Sequence, residues 1–105
     1  MFAAAGETPE ARRALLACDE TLTNIVSYSG ATELAFLCEK RNVSLCTIFS
    51  DNGTEFDPTA VDVEKKEFEM LDSGGMGLNL VRQTASTMDY ERKDGRNVLT
   101  LSFPL

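Results

Sequence analysis

The apolar residues in the first third of the chain recur at steps of three and four positions, which predicts an amphipathic helix. The predicted apolar face consists of Leu15, Cys18, Leu22, Ile25 and Val26. Thr8-Pro9-Glu10 is typical of a helix start, because a hydroxyl cap precedes a proline and an acid in the first turn. Ser29-Gly30 ends the helix. Glu20 and Asn24 lie off the apolar face and one turn apart, so they project from a common side.

Alternating apolar positions then predict two strands, over residues 33–40 and 43–50. Arg41-Asn42 lies between them and is short enough for a hairpin. Residues 51–75 carry many charges and little periodicity, and within them residues 64–71 are compatible with a short helix. A loop of this length inside a small domain is usually functional or mobile.

A second helix is predicted over residues 77–86, with Leu78, Val81 and Ala85 on its inner face. Strands at residues 88–93 and 97–103 form a final hairpin, because Asp94-Gly95 favours a type I′ turn. This order of elements predicts an α+β fold, with an antiparallel or mixed sheet and the helices packed on one face. With 105 residues and 43% hydrophobic content, residues 1–105 are expected to form one domain with a modest core.

Composition removes several classes of function. The formal net charge of −7 argues against a nucleic-acid partner, since phosphate binding needs clustered Lys and Arg. The chain has no histidine, which excludes His-dependent acid–base catalysis. Cys18, Cys38 and Cys46 form no Cys-x-x-Cys pair, which argues against a zinc site, and the last two are predicted to be small buried hydrophobes. The odd cysteine count and the lack of a signal sequence predict a reducing cytoplasm, and no membrane segment is expected.

Three segments carry candidate chemistry. A carboxylate at Glu20 is suited to act as a general base, and the amide oxygen of Asn24 is a hard ligand suited to Mg²⁺. Asp51-Asn52-Gly53 follows a strand, where an ionised Asp is able to accept from the exocyclic amine of adenine and a glycine lets the base approach. Gly74-Gly75-Met76-Gly77 precedes a predicted helix and offers bare N–H groups to phosphate.

Each segment also has an ordinary interpretation. Glu20 and Asn24 fit a solvated polar face, Asp51-Asn52-Gly53 fits a common turn, and the glycine run fits a flexible hinge. The glycine run is not a P-loop, because no Gly-Lys-Ser/Thr follows, and it is not a dinucleotide fingerprint, because the helix leads to a hairpin.

The order and spacing of these segments resemble the GHKL (Bergerat-fold) ATP-binding superfamily, a histidine-kinase-like ATPase domain. Residues 19–24 resemble its N box, residues 51–58 its first Gly box, residues 74–81 its second Gly box and residues 90–98 its final hairpin. The stronger likeness within the superfamily is to anti-sigma-factor serine kinases, because Phe56-Asp57-Pro58 follows the first Gly box. Sensor histidine kinases, which act on a histidine, usually carry Asn where Glu20 stands. Glu20 therefore argues against a histidine-kinase-like ATPase fragment of that sensor class.

The resemblance implies a role for each box. Glu20 is expected to be the catalytic base and Asn24 the Mg²⁺ ligand, while Asp51 reads adenine and Gly53 shapes its pocket. The second Gly box is expected to bind the phosphates of ATP, and its cofactor-binding residues are Gly74, Gly75, Met76, Gly77 and Leu78. Residues 57–73 correspond to the ATP lid. The fold implied is a Bergerat α/β sandwich that is short at its N-terminus.

The resemblance implies an ATP-binding anti-sigma factor that sequesters a sigma factor and phosphorylates a serine on a STAS-like anti-anti-sigma antagonist. A homodimer is expected, since relatives usually have a strand and a helix before the N box, and a partner chain is expected to cover the surface left open. Glu55 stands where the family usually has a second glycine, and Asn97 where many relatives have a threonine. The alternative is therefore a non-catalytic, degenerate GHKL module that binds nucleotide or protein.

Overall fold

The computed structural model of the chain describes residues 8–60 and 74–104. Helix α1 spans Pro9–Tyr28, followed by strands β1 (Leu34–Arg41) and β2 (Ser44–Asp51). Helix α2 spans Gly74–Thr84, followed by strands β3 (Thr87–Lys93) and β4 (Arg96–Pro104). No helix in these described stretches is long and apolar enough to cross a membrane. The short helix predicted over residues 64–71 lies outside the described residues.

The four strands form one antiparallel sheet in the order β1-β2-β4-β3. The two hairpins β1–β2 and β3–β4 are joined side by side through β2 and β4, whose register pairs Asp51 with Asn97 and Phe49 with Leu99. One face of β2 and β4 is buried by the helices, through Leu45, Phe49, Leu99, Leu101 and Phe103. The predicted α+β class, with helices on one face of an antiparallel sheet, is confirmed.

Helix α1 begins and ends where local sequence signals predict. The Thr8 hydroxyl accepts a hydrogen bond from the Ala11 N–H at 3.1 Å, which caps the first turn. At the other end, the Ser29 N–H donates to the Ile25 carbonyl. The predicted boundaries of this helix are therefore confirmed.

The buried face of α1 differs from the one predicted. Leu15 is 45% exposed and Val26 is 73% exposed, whereas the residues that pack inward are Ala11, Ala14, Ala17, Cys18 and Thr21. Small side chains let the helix axis approach the sheet closely, so the alanine stripe turns inward and leaves larger apolar residues outside. Leu22 and Ile25 keep part of the predicted role, since both pack partly buried against the core.

The loops and strand ends also correct the prediction in detail. The β1–β2 turn is Asn42-Val43, one position later than predicted, because Arg41 pairs with Ser44. Asn42 takes a positive φ of 51°, and Asp94 and Gly95 take 52° and 74° in the β3–β4 turn. Strand β1 is at the sheet edge and is mostly exposed, so Cys38 is only half-buried, while Cys46 is buried as predicted.

Candidate functional site

Asp51 is a charged side chain on the buried face of the sheet. It ends β2, two positions after Phe49 on the inner face, and is only 3% exposed. Its Oδ1 accepts hydrogen bonds from the Gly53 N–H at 2.8 Å and from Asn97 Nδ2 at 3.1 Å. Within the described residues both bonds go to Oδ1, so Oδ2 remains available as an acceptor for a ligand.

Gly53 lies against the C-terminal end of α1. A Cβ atom built on Gly53 would lie 2.6 Å from the Cβ, O and Oγ atoms of Ser29, so no larger residue fits without moving backbone. The Thr54 N–H donates to the Ser29 carbonyl at 2.9 Å and holds the same approach. Asn52 fixes the adjacent loop, since its Oδ1 accepts from the backbone N–H groups of Thr32 and Glu33. The first Gly box is therefore packed onto the end of the helix that carries the N box.

Glu20 and Gly77 meet where α1 crosses the start of α2. A Cβ atom on Gly77 would collide with the Glu20 carboxylate oxygen Oε2, so that carboxylate lies directly on the glycine backbone. Gly77 itself is buried. Asn24 is half-buried and lies one helical turn from Glu20, toward Ser29. Glu20 and the glycine segment at the start of α2 are thus brought together.

The glycine run belongs to the helix and does not precede it. Helix α2 begins at Gly74, three positions before the predicted start, and ends at Thr84, two positions before the predicted end. Gly74, Gly75 and Met76 therefore lie in its first turn, where glycine takes helical dihedrals at an entropic cost. The Leu78 side chain is buried with the core, so Leu78 is able to offer a ligand only its backbone.

Asn97, which stands where many relatives have a threonine, is a neighbour of Asp51 that the sequence motifs alone do not predict. It is 6% exposed and stands on β4 directly opposite Asp51. Its side chain joins Asp51, Tyr90, Arg92 and the loop of residues 54–56. A signal was present in the sequence, because Asn97 continues the alternating series Leu99, Leu101 and Phe103 with a polar residue.

Tyr90 remains a hydrogen-bond donor at this end of the site. Burial, with a further contribution from the Glu55 carboxylate, raises the pKa of the Tyr90 phenol above its ordinary value. The phenol therefore stays protonated through neutral pH and donates to Asn97 Oδ1 at 2.5 Å. Glu55 itself is exposed, so the residue that replaces the family glycine lies at the surface near Tyr90.

Residues 57–60 are the part of the predicted lid that the structure describes, and residues 61–73 lie outside it. Arg82 of α2 donates from Nη2 to the Pro58 carbonyl at 2.6 Å, and Pro58 is buried. The first residues after the Phe56-Asp57 segment are therefore anchored to the helix that begins with the glycine run.

The two ends of the site contact α1 at different points along its length. Asp51 and Gly53 are at its C-terminal end, while Glu20 and Gly77 lie nine residues earlier, which is about 13 Å along a helix axis. The candidate site is therefore elongated.

The residues present fit a magnesium nucleotide. In residues 8–60 and 74–104, no three Asp, Glu, Cys or His side chains converge as a metal site. A Mg²⁺ ion held by Asn24 would take its other ligands from phosphate oxygens and water, which is its usual manner with nucleotides. The N-terminal turn of α2, which contacts Glu20 through Gly77, carries the positive end of the helix dipole.

Comparison with known proteins identifies relatives of this arrangement. The family model described as a histidine kinase-like ATPase domain matches residues 2–103. The serine/threonine-protein kinase BtrW of Bordetella bronchiseptica is 36% identical, over 83% of this chain and 66% of that protein. The chain thus spans just under two thirds of that curated relative.

A solved structure shares the fold. The Acinetobacter baumannii histidine kinase AdeS matches with a TM-score of 0.62 at 20% identity, over 90% of this chain and 46% of that chain. At that identity the likeness concerns the fold alone. The sequence-based resemblance to a histidine-kinase-like ATPase domain is confirmed by the family match and by this architecture.

Proposed function

Because the chain belongs to the family of histidine kinase-like ATPase domains, we propose that it binds Mg·ATP and phosphorylates serine on a protein substrate. The observation that carries the proposal is the contact of the Glu20 carboxylate with Gly77 at the start of α2, about 13 Å along α1 from the Asp51 end. Kinship with a serine/threonine-protein kinase supports protein serine as the acceptor.

Asp51 is proposed to recognise the adenine base. Its Oδ1 is held by Gly53 and Asn97, and its Oδ2 is free to accept from the exocyclic amine. Gly53 lets the loop backbone pack directly against Ser29, which holds the loop that follows Asp51 in place. A buried carboxylate that accepts from a ligand amine contributes both affinity and orientation.

Glu20 is proposed to act as general base in phosphoryl transfer. When bound, Mg·ATP supplies the transferable phosphoryl group and the metal that neutralises its charge. Glu20 would accept the proton of the attacking serine hydroxyl, and Asn24 would hold the metal through its amide oxygen. Backbone N–H groups of Gly74, Gly75, Met76 and Gly77 at the start of α2 would bind phosphate oxygens.

The proposed partners are a sigma factor, which the protein would sequester, and a STAS-like anti-anti-sigma antagonist that carries the serine; such partners act in the cytoplasm. A second copy of the chain is proposed as a further partner. Leu15, Leu16 and Val26 of α1 are large, apolar and exposed, which supports a protein contact at that surface. A strictly monomeric species at high concentration in sedimentation would count against the homodimer.

The second candidate function is a non-catalytic module that binds nucleotide or protein. Glu55 favours it, because this carboxylate stands in the first Gly box close to Tyr90 and adds negative charge near the base end of the site. A glutamate in place of the family's glycine adds a Cβ atom and a charge beside the proposed base, which would weaken nucleotide binding. The two functions differ in one step, transfer of phosphate to protein.

The decisive experiment incubates the protein with labelled Mg·ATP and a candidate antagonist. The wild type is expected to label the antagonist, and Glu20→Gln is expected to lose transfer while it still binds ATP. Asp19→Asn is the matched control, since Asp19 is an exposed carboxylate on the same helix. Its transfer is expected to equal that of the wild type.

Binding is measured separately by thermal denaturation with Mg·ATP. A ligand at a hundred times its dissociation constant stabilises the native state by about 2.7 kcal/mol. If Mg·ATP stabilises the wild type but the wild type transfers no phosphate to the antagonist, the non-catalytic binding module would be the function that remains. Absence of any shift at millimolar ATP would remove both nucleotide functions.

A further inference from the structure

Asn97 is a buried amide that contacts both the Asp51 carboxylate and the loop that follows it. We propose that Asn97 is a positioning residue that makes the site select adenine over guanine, through the orientation that it gives to Asp51. The inference rests on the proposed nucleotide site and adds the residue that sets its base selectivity.

The orientation of the Asn97 amide is determined by its neighbours. Three donors surround its Oδ1, the Phe56 N–H at 3.2 Å, the Tyr90 hydroxyl at 2.5 Å and Arg92 Nη1 at 3.1 Å. Two acceptors surround its Nδ2, namely Asp51 Oδ1 at 3.1 Å and the Thr54 carbonyl at 2.8 Å. The opposite orientation would place donors against donors, so Nδ2 must face Asp51.

This contact controls the orientation of the Asp51 carboxylate. Two N–H donors, from Gly53 and from Asn97, converge on Oδ1. They restrain the carboxylate plane, and Oδ2 has no donor among the described residues. In that orientation the free oxygen acts only as an acceptor.

An acceptor at this place discriminates between the purines. Adenine carries an amino group where guanine carries a carbonyl oxygen. The amino group donates to a carboxylate oxygen, whereas the guanine carbonyl faces it acceptor to acceptor. Selectivity therefore depends on the orientation of the Asp51 carboxylate, which the Asn97 amide maintains.

Asn97 also ties the loop to the sheet. Its two ends hold the Thr54 carbonyl and the Phe56 N–H, and Arg92 joins it to the Gly53 carbonyl at 2.8 Å. The same side chain thus orders the carboxylate and the backbone that flanks it. A purely structural residue at this core-facing position needs none of these contacts, since Leu99 and Leu101 fill the next inward positions of β4.

The test compares the Asn97→Asp and Asn42→Asp variants with the wild type, at the nucleotide concentrations over which the wild type binds. Asn97→Asp keeps the acceptor for Phe56, Tyr90 and Arg92 but replaces the donor to Asp51 with a second carboxylate. Asn42→Asp makes the same charge change at the exposed β1–β2 turn, at the far end of β2 from Asp51. The dissociation constants of ATP and GTP are measured by titration calorimetry, and the exchange rate of the Gly53 amide hydrogen by NMR.

We expect the preference for ATP over GTP to fall by about tenfold in Asn97→Asp, the effect of losing one well-made hydrogen bond. The Gly53 amide is expected to exchange faster, because its acceptor on Asp51 turns away. Asn42→Asp is expected to match the wild type in both measurements. Asn97→Ala is the second variant, since it removes the same donor without adding charge, and it is expected to lower the same ratio.

A purely structural Asn97 would weaken ATP and GTP equally and leave their ratio unchanged, and that result overturns the inference. Failure of the wild type to bind ATP would instead remove the proposed function. The Gly53 amide would then still report on the nucleotide-free protein, and unchanged exchange in both Asn97 variants would overturn the positioning role.

Discussion

Polar side chains at core-facing strand positions distinguish this sheet from a purely structural one. Thr47, Asp51 and Asn97 are all buried on the inner face, where apolar residues would normally stand. Each has a partner; for example, the Thr47 hydroxyl donates to the Leu101 carbonyl at 3.4 Å. A buried polar group without a partner is costly, so such residues persist where their chemistry is used or their bonds are complete.

Replacing Asp51 tests the base end of the site. Asp51→Asn keeps an oxygen that accepts from Gly53 but removes the charge, so we expect the fold to be retained and ATP binding to weaken. The expected loss is about 1.5 to 3 kcal/mol, or roughly tenfold to more than a hundredfold in Kd. Calorimetric titration measures it, with circular dichroism as the check on folding.

Asp89→Asn is the matched control, because Asp89 is an exposed carboxylate on β3. It is expected to bind ATP as the wild type does. Unchanged ATP affinity in Asp51→Asn would remove Asp51 from base recognition.

At the scale of elements, the two helices meet through a residue without a side chain. Glu20 lies on Gly77, and the first turn of α2 contains three glycines at positions 74, 75 and 77. Glycine weakens a helix interior by about 1 kcal/mol relative to alanine. The glycines in the first turn of α2 therefore lower the stability of the helix, and they also let the Glu20 carboxylate lie close to its backbone.

Gly77→Ala separates stability from function. The added methyl group meets the end of a flexible side chain, so Glu20 is displaced while the backbone stays in place. We expect the free energy of unfolding to be unchanged or to rise by up to about 1 kcal/mol, because alanine favours the helix. Phosphoryl transfer is expected to fall by about a hundredfold, the usual effect of misplacing a reacting group by an ångström.

Urea denaturation measures the first quantity and labelled transfer the second. Gln83→Ala, at an exposed position of the same helix, is the control and is expected to leave transfer unchanged. Full transfer by Gly77→Ala would show that the Glu20 contact is not needed for the reaction.

The sequence predicts what local signals determine and misses what depends on distant pairing. The ends of α1 follow from Thr8 and Ser29, and the β3–β4 turn follows from Asp94-Gly95. The prediction of the buried face of α1 was wrong at Leu15 and Val26, because packing selects the small alanines over larger side chains. The place of Asn97 beside Asp51 depends on the β2–β4 register, which joins residues 46 positions apart.

At the scale of the molecule, the described architecture is one helix layer on one sheet layer. Its principal extents are 34 × 33 × 19 Å, and the smallest of them fits a helix packed on a sheet. Residues of β4 alternate between the core face and the outer face, and those on the outer face are half-buried, namely Val98, Thr100 and Ser102. A single core holds the helices to the sheet, so unfolding is expected to be one cooperative transition.

That transition is expected to depend on pH through Cys18, which lies in the helix–sheet core. Burial raises the pKa of the Cys18 thiol from 9.0 to about 11. The unfolded chain loses this proton above about pH 9, whereas the folded chain keeps it up to about pH 11. The folded state therefore binds more protons in that window, and the free energy of unfolding falls as pH rises from 9 to 11.

Chemical denaturation at a series of pH values measures this slope, and Cys18→Ala is the control. The raised pKa values of Cys38 and Tyr90 also lower the stability as pH rises, equally in the wild type and in Cys18→Ala. The difference in slope between the wild type and the variant therefore reports on Cys18. Identical slopes for the wild type and Cys18→Ala would show that this thiol does not contribute.

Helix α1 also sets the distance between the two ends of the candidate site. Glu20 and Ser29 lie on the same helix and at its C-cap, so the axial distance between the two ends of the candidate site is fixed by the number of residues between them. Deleting one residue between them would shorten that interval by about 1.5 Å and swing Glu20 through about 100° around the axis. Insertions and deletions in this stretch are therefore expected to be far less tolerable than those in the hairpin turns, whatever residues they introduce.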